Sequence, residues 1–512
     1  MVKSTASDVA IVGAGAAGSL IAHRLAAAGR KVSVFEAGPA WSTDDLASSQ
    51  IWARRLKWGG PPVEVRANHH GFSHNLNNGW GLGGSALHHY ATWPRMFDEA
   101  FAAWPFGYET LRPHYDRVQA EVGISGDAAT EVWRPPGAAY PLPPTPTLAQ
   151  GHAVARGFAA KGWPVSPLPV AVLSREYKGR PGCLYDGWCD AGCPIGALAN
   201  PLVTHLAWAR EAGADIRSGV TVTRVLPATA ARAAGVEYVG ADGLVRRHEA
   251  AHVVLAGGAV ANPRLLLASA GGVWPEGAGN ARDQVGRGFA LDMLALAYGR
   301  MPGPTEPHRG LSAGQLLNRV RGPRDRPGAP PGTPVGAWQW QIAPAMKPND
   351  IFGVAVSRAD LFGAGLAAFV EGATRDIASM AGMIGQACAP TNRVMLASTR
   401  DRFGVPHARV EHRVTDAEMA LWRHVQAEGI AVMRAGGARE AWGGPFAAGH
   451  MIGGTLIGDD PARSVADAFG RVHGIDNVWL AGSGLFPGSC GVSPTFTLMA
   501  LADRSAAALL AG

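Results

Sequence analysis

The 512-residue chain predicts an α/β fold, α+β overall: a nucleotide-binding sheet assembled from discontinuous segments, and a second region with antiparallel sheet. Three observations predict it. Residues 8–36 run strand, glycine turn, helix, strand. The middle of the chain holds apolar stretches of strand length separated by turn residues. From His450 to Ala500 the sequence returns to Gly-rich turns followed by an apolar, helix-periodic run. Hydrophobic content of 47% against 17% charged residues describes a globular chain, and 68 glycines with 37 prolines imply many turns and close backbone approaches.

Composition also excludes functions. The formal net charge is +6, but no Lys/Arg run exceeds a pair, so the chain reads as mildly basic and not as a nucleic-acid binder. No apolar run approaches 18 residues, so no transmembrane helix is expected. The N-terminal MVKSTASDVAIVGAGAAGSL reads as mature protein and not as a signal peptide, because its glycines carry nucleotide-fold spacing.

The first element is the apolar run Asp8–Val12. GAGAAG follows, with Gly13, Gly15 and Gly18, then a helix SLIAHRLAAAG and a strand KVSVFEAG ending near Glu36. Strand, G-x-G-x-x-G, helix, strand, acid is the Rossmann fingerprint. The glycines let the backbone approach a pyrophosphate at a helix N-terminus, and Glu36 can bond ribose hydroxyls. The fingerprint alone does not separate NAD from FAD. A second glycine cluster, GWGLGGSALHHYATWPR, occupies 79–95.

Three of the five cysteines fall in one loop, Cys183, Cys189 and Cys193, with Pro194 after the last. Clustered thiols followed by proline suit an iron–sulfur cluster. Zinc prefers four ligands, and no neighbouring His or CxxC pair supplies a fourth. The alternative is a reduced loop without metal. Cys388 and Cys490 are isolated and read as small core residues.

TVTRVL (221–226, with Val222) and the segment from Gly235 read as strands around an Asp242-Gly243 turn. VVLAGGAVANPRLLLAS reads as strand, turn, helix. Residues 300–350, dense in Pro, Gly and Arg, read as including an exposed loop, lid or subunit contact. Further on, GAWQWQIA, FGVAVSRA, GLAAFVEG and RVMLAS suggest sheet, and DAEMALWRHVQAEGIAVMRAGG a helix. Trp338, Trp340 and Gln386 are candidates for the wall of a substrate site. No internal repeat is evident.

At the C-terminal end, His450 enters a Gly-rich stretch, and Ser493-Pro494-Thr495 opens a helix-periodic segment. Ser493 as N-cap and Pro494 as first helical residue fit a helix start, whose free N–H groups suit a developing anion. An imidazole titrates near working pH, so His450 is the candidate base. Ser493 either hydrogen-bonds a reacting group or only caps the helix.

These pieces, in this order, resemble the glucose–methanol–choline (GMC) flavoprotein oxidoreductases, most strongly at 8–38, 79–123, 252–269 and 450–506. The resemblance implies FAD as cofactor, with Gly83, Gly84 and Ser85 packed against the flavin and Val222, Gly482, Pro494 and Thr495 as further contacts. It places the family's catalytic histidine on His450. The second catalytic residue, usually His or Asn, falls on Ser493, which is a departure. His88 stands where some relatives bond the flavin covalently and others hold a packed histidine. The cysteine loop and its GCPIGA tail resemble bacterial FAD-dependent glucose and sorbitol dehydrogenases, which implies a three-iron cluster (3Fe-4S) passing electrons to a cytochrome subunit.

The resulting expectation is an FAD-dependent dehydrogenase of a sugar, glycoside, polyol or other alcohol. An oxidase using oxygen, a flavin-containing lyase and a non-catalytic flavoprotein are the alternatives. FAD binding is assigned to 1–100, 200–300 and 445–512, the cluster loop to an intervening segment 101–199, and substrate binding to 301–444. The resemblance also implies a small chaperone-like partner subunit that carries the export signal, so cytoplasm and periplasm both stay open.

Overall fold

The apolar run that opens the chain becomes β1 (Thr5–Val12), and both its faces are covered, as an uninterrupted run of Val, Ala and Ile requires. The computed structural model describes residues 5–322, 325–326, 336–489 and 491–512. Cys490 and most of the Pro-rich stretch from 321 to 334 lie outside the described residues.

β1 lies between β2 (Val32–Phe35) and β8 (Val245–Leu255), parallel to both. β5 (Asp215–Arg217) extends the sheet beyond β2. On the other side an antiparallel ribbon, β6 (Thr221–Thr229) and β7 (Arg232–Val239), joins β8. The last strand, β17 (Val478–Leu480), returns from far along the chain to pair with the end of β8. Helix α1 (Ala16–Ala27) makes the β1–β2 crossover and packs on α5 (His205–Glu211) and the C-terminal α10 (Thr495–Ala511).

A buried ionic network ties this layer together. Asp503 of α10 accepts from Arg24 of α1 at 2.6 Å and His114 of α3 (Tyr108–Val122) at 2.7 Å. Glu121 accepts from the same Arg24 at 2.7 Å and from His205 at 3.2 Å.

The second sheet is antiparallel. Its order is β15 (Glu440–Gly443), β9 (Ala290–Arg300), β12 (Ile377–Gly385), β11 (Trp338–Ile342), β10 (Leu316–Val320) and β4 (Ser166–Pro167), with β16 (Ala447–Ile452) also pairing with β9. Helix α9 (Asp416–Ala435), expected from its sequence, starts at a Thr415/Glu418 capping box and packs against one face. A small third sheet joins β3 (Glu64–Ala67), β14 (Pro406–His412) and β13 (Arg393–Arg400) beside α6 (Gly258–Ala268).

Three expectations need correction. FGVAVSRA and GLAAFVEG are not sheet: they fall largely in helices α7 (Pro348–Ala355) and α8 (Gly363–Asp376). Leu366, Phe369, Val370 and Ala373 repeat at helical spacing and bury one face against Ile351 and Val354. Trp338 and Trp340 are core, not cavity wall. They point at α9, where Trp340 Nε1 donates to Glu428 at 2.8 Å. Gln386 is likewise interior, accepting from His412 Nε2 at 2.8 Å. Of the Pro-rich stretch, residues 302–309 form a partly exposed loop as expected, and Gly310 at its end exchanges backbone bonds with Tyr185 and Gly187 and so clamps the cysteine loop.

Candidate active site

One cavity of about 1550 Å³ runs between the two large sheets. Its size exceeds the ~300–1000 Å³ of an ordinary small-ligand pocket, leaving room for a dinucleotide and a second molecule.

The wall on the parallel-sheet side is backbone. Gly13 and Gly15 line it at the N-terminus of α1. Gly13 has φ +104°, and a Cβ there would stand 2.8 Å from Ala256 O. Gly18 is set back: its Cβ would meet Gly13 O at 2.0 Å, so it serves close packing of helix on strand. The second glycine cluster docks on the first. Gly83 N–H donates to Ala14 O at 3.0 Å, and a Cβ on Gly84 would stand 3.1 Å from Gly15 Cα. Ser85 Oγ accepts from Gly79 N–H at 2.8 Å. Glu36 lines the cavity and binds both loops, accepting from the N–H groups of Ala14, Gly38 and Gly81 at 3.0, 2.9 and 3.3 Å. Burial raises its carboxyl above the usual range, and those N–H donors oppose the rise. Val222, Gly482, Pro494 and Thr495 also line this wall; Gly83 does not.

His88 lines the cavity too. Burial, with Lys57 adding, lowers its imidazole to about 3. Its Nε2 has no hydrogen-bond partner among the described residues.

The opposite wall is made of side chains from the antiparallel sheet. Alternation puts Leu294, Leu296 and Tyr298 of β9, and Gln341 of β11, on the cavity side while their neighbours enter the core. Lys347 closes one end, paired with Asp190 at 3.1 Å and Asp350 at 3.4 Å. Burial works against its ammonium, but the two carboxylates hold its pKa above the ordinary value.

His450 arrives through an irregularity. Gly449 of β16 pairs with Asp292 of β9, yet Ile452 pairs with Ala290, so β16 carries one extra residue. That bulge places His450 at φ +52° and turns its imidazole to the cavity. Nδ1 lies 2.8 Å from Asp292 Oδ2, and Nε2 has no partner among the described residues.

Ser493 lines the cavity but does not cap. Helix α10 begins at Thr495 with Pro494 in the cap position and no side-chain cap bond. The Ser493 hydroxyl instead faces Gln341 Nε2 at 3.4 Å and Met383 Sδ at 3.7 Å. The N-cap expectation fails because that hydroxyl is turned away from the helix.

The cysteine loop abuts the Lys347 end, where Gly187 O accepts from Ser312 Oγ at 2.8 Å and Lys347 Nζ at 3.2 Å. Cys183 Sγ accepts from Tyr185 N–H at 3.3 Å and Cys193 Sγ from Leu198 N–H at 3.4 Å. Burial pushes the Cys183 thiol up to about 11 and the Cys189 thiol up to about 12, and repulsion among the three sulfurs adds to both. No group of three His, Cys, Asp or Glu among the described residues is arranged to hold a metal ion. Cys388 is separate and partly buried against the core.

Two models of one family, GMC oxidoreductase, match residues 8–294 and 389–502. The chain belongs to the GMC oxidoreductases. It is therefore a flavoprotein oxidoreductase with FAD as cofactor. It is 26% identical to the 2-methyl-1,2-propanediol dehydrogenase of Mycolicibacterium austroafricanum, over 98% of this chain and 94% of that one. It is 24% identical to the fructose dehydrogenase large subunit of Gluconobacter japonicus, over 99% and 98%. A crystal structure of formate oxidase shares the fold, with TM-score 0.70 at 16% identity over 99% of this chain and 98% of that one. No helix among the described residues is long and apolar enough to cross a membrane.

The glycine-built wall fits FAD on its own evidence, since a Cβ at Gly13 or Gly18 would strike backbone and Glu36 lies at the end of β2. Sequence reasoning missed Asp292, Gln341, Asp190 and Lys347. Only Asp292 left a signal, as one acid in the apolar run ALDMLALAYG.

Proposed function

We propose that this GMC oxidoreductase oxidises a CH–OH group of a sugar, glycoside, polyol or other alcohol, with His450 accepting the hydroxyl proton. The observation that carries the reading is the bulged His450, whose partner-free Nε2 faces a cavity that Ser493 and the start of α10 also line. Bound FAD supplies the hydride acceptor. Gly13, Gly15, Glu36, Gly84, Ser85, Val222, Gly482, Pro494 and Thr495 hold it, and His88 packs beside it. The free N–H groups at the start of α10 favour negative charge there.

Ser493 and Gln341 offer hydroxyl and amide groups to a substrate oxygen, and Lys347, Asp190 and Asn349 suit further hydroxyls. Leu294, Leu296 and Met383 cover its carbon skeleton. The relatives above, a diol dehydrogenase and a fructose dehydrogenase subunit, support this substrate class.

Cys183, Cys189 and Cys193 are proposed to hold an iron–sulfur cluster, which supplies one-electron transfer toward a cytochrome or other acceptor. N–H groups aimed at two of the sulfurs support this, because such bonds stabilise thiolate ligands. The relative named as a large subunit supports a partner subunit.

Anaerobic mixing with a panel of sugars, polyols and aromatic alcohols tests the reading. Bleaching of the flavin band is expected with one group and not in His450→Ala, which keeps FAD but reduces about 10²–10⁴-fold more slowly. Unchanged single-turnover reduction in that variant overturns the base assignment. Iron and acid-labile sulfide at background in anaerobically purified protein would remove the cluster.

A further inference from the structure

We propose that Asp292, backed by Ser489, is the positioning residue that orients His450 and stabilises its protonated form during proton transfer. This rests on His450 being the base.

The argument begins with a misplaced charge. Asp292 is the one acid in the apolar strand β9, and it is 1% exposed. Burying a carboxylate costs several kcal/mol unless it is paired and hydrogen-bonded. Among the described residues two side chains bond it: His450 Nδ1 at 2.8 Å, and Ser489 Oγ, which donates to the other oxygen. Both oxygens are thus committed to the C-terminal segment that forms this part of the cavity.

The strand register makes the pairing unavoidable. Asp292 sits opposite Gly449, so the bulged residue that follows, His450, is brought over the carboxylate. Asp292 fixes Nδ1 as the protonated nitrogen, leaving the Nε2 lone pair for the substrate. When the substrate O–H bond breaks and an Nε2–H bond forms, the imidazolium stays paired with a carboxylate. Ser493 cannot do this, because its neutral hydroxyl makes only long contacts to Gln341 and Met383. In this chain the assisting group stands behind the imidazole instead of beside it.

Two further imidazoles, His412 and His69, lie behind the pair. His412 reaches Gln386, whose Oε1 also accepts from Leu291 N–H beside Asp292, and His69 bonds His412. Burial keeps both imidazoles neutral near pH 7. Lys347, Asp190 and Asp350 form their own cluster at the end of the cavity.

The test is the pH profile of single-turnover flavin reduction in FAD-loaded Asp292→Asn, Ser489→Ala and His450→Ala. Asp292→Asn is expected to reduce on the order of 100-fold more slowly, with FAD retained. Its acid limb should move to lower pH, because the imidazolium has lost its counter-charge. Ser489→Ala should move the limb the other way, because a carboxylate without its hydroxyl donor holds the imidazolium more strongly. Asp292→Glu should recover part of the rate. Should Asp292→Asn fail to fold, Ser489→Ala decides alone: a limb unmoved or moved down overturns the inference. A normal profile in Asp292→Asn, with His450→Ala inactive, overturns this inference and leaves the base. An active His450→Ala overturns the base and this inference with it.

Discussion

The two walls of the cavity are made of different material. On the parallel-sheet side Gly13, Gly15 and Gly84 present backbone, and Glu36 spends its carboxylate on N–H groups of two loops. On the antiparallel side Leu294, Gln341, Met383 and Lys347 present side chains from three strands and the foot of a helix. At Gly13, and at Gly18 behind it, an added atom would strike backbone, which cannot rotate away. A side-chain wall tolerates exchange, and sets which molecule fits.

The largest contrast is expected at Gly18. A methyl there would stand 2.0 Å from Gly13 O. Gly18→Ala should cost roughly 3 kcal/mol or more and yield protein without FAD, read from the ratio of flavin to protein absorbance. Full flavin content in that variant would break the contrast.

Within β11 the contrast sharpens to neighbouring residues. Gln341→Leu should keep FAD and raise the apparent KM about tenfold, the equivalent of one lost hydrogen bond of ~1.4 kcal/mol. Trp340→Phe should leave KM alone and lower stability by about 1–2 kcal/mol, through the lost bond to Glu428 and a small void. Thermal melts and steady-state kinetics separate the two; a KM effect from Trp340 would mean the strand faces are misassigned.

The smallest effect concerns acid stability of the backbone-built half. Burial works against the Glu121 carboxylate, but His205 and Arg24 outweigh it and bring its pKa down to about 2 from an ordinary 4.5. A carboxyl depressed in the folded state stabilises above its unfolded pKa and loses that contribution as pH falls toward the folded one. Glu121→Gln should therefore lower stability near neutral pH by about 1 kcal/mol, after allowance for solvent screening. It should also flatten the pH dependence of unfolding between about 4.5 and 2. An unchanged slope would place the acid sensitivity elsewhere, with Asp503 the next group to replace.

The same contrast explains what was legible. The glycine triplet, its strands and the acid at 36 could be read directly, because only glycine meets the backbone demands of that turn. The helix over DAEMALWRHVQAEGIAVMRAGG was equally plain. FGVAVSRA and GLAAFVEG misled because short apolar runs rich in Gly and Ala fit either period until a packing partner chooses one. Trp338 and Trp340 were read onto the wrong face because alternation tells that two faces exist, not which one meets a cavity.

By itself the sequence determined the parallel sheet, its glycine loops, the imidazole at 450 and the three thiols in one loop. These depend on residue type and near spacing, which a linear chain states outright. Only the tertiary structure decided that Asp292 stands behind His450 and that Ser493 turns away from its helix. It also brought Lys347 to the cysteine loop. Those partners lie 150 or more residues apart, and only the packing of strands, loops and helix starts in the folded chain brings them together.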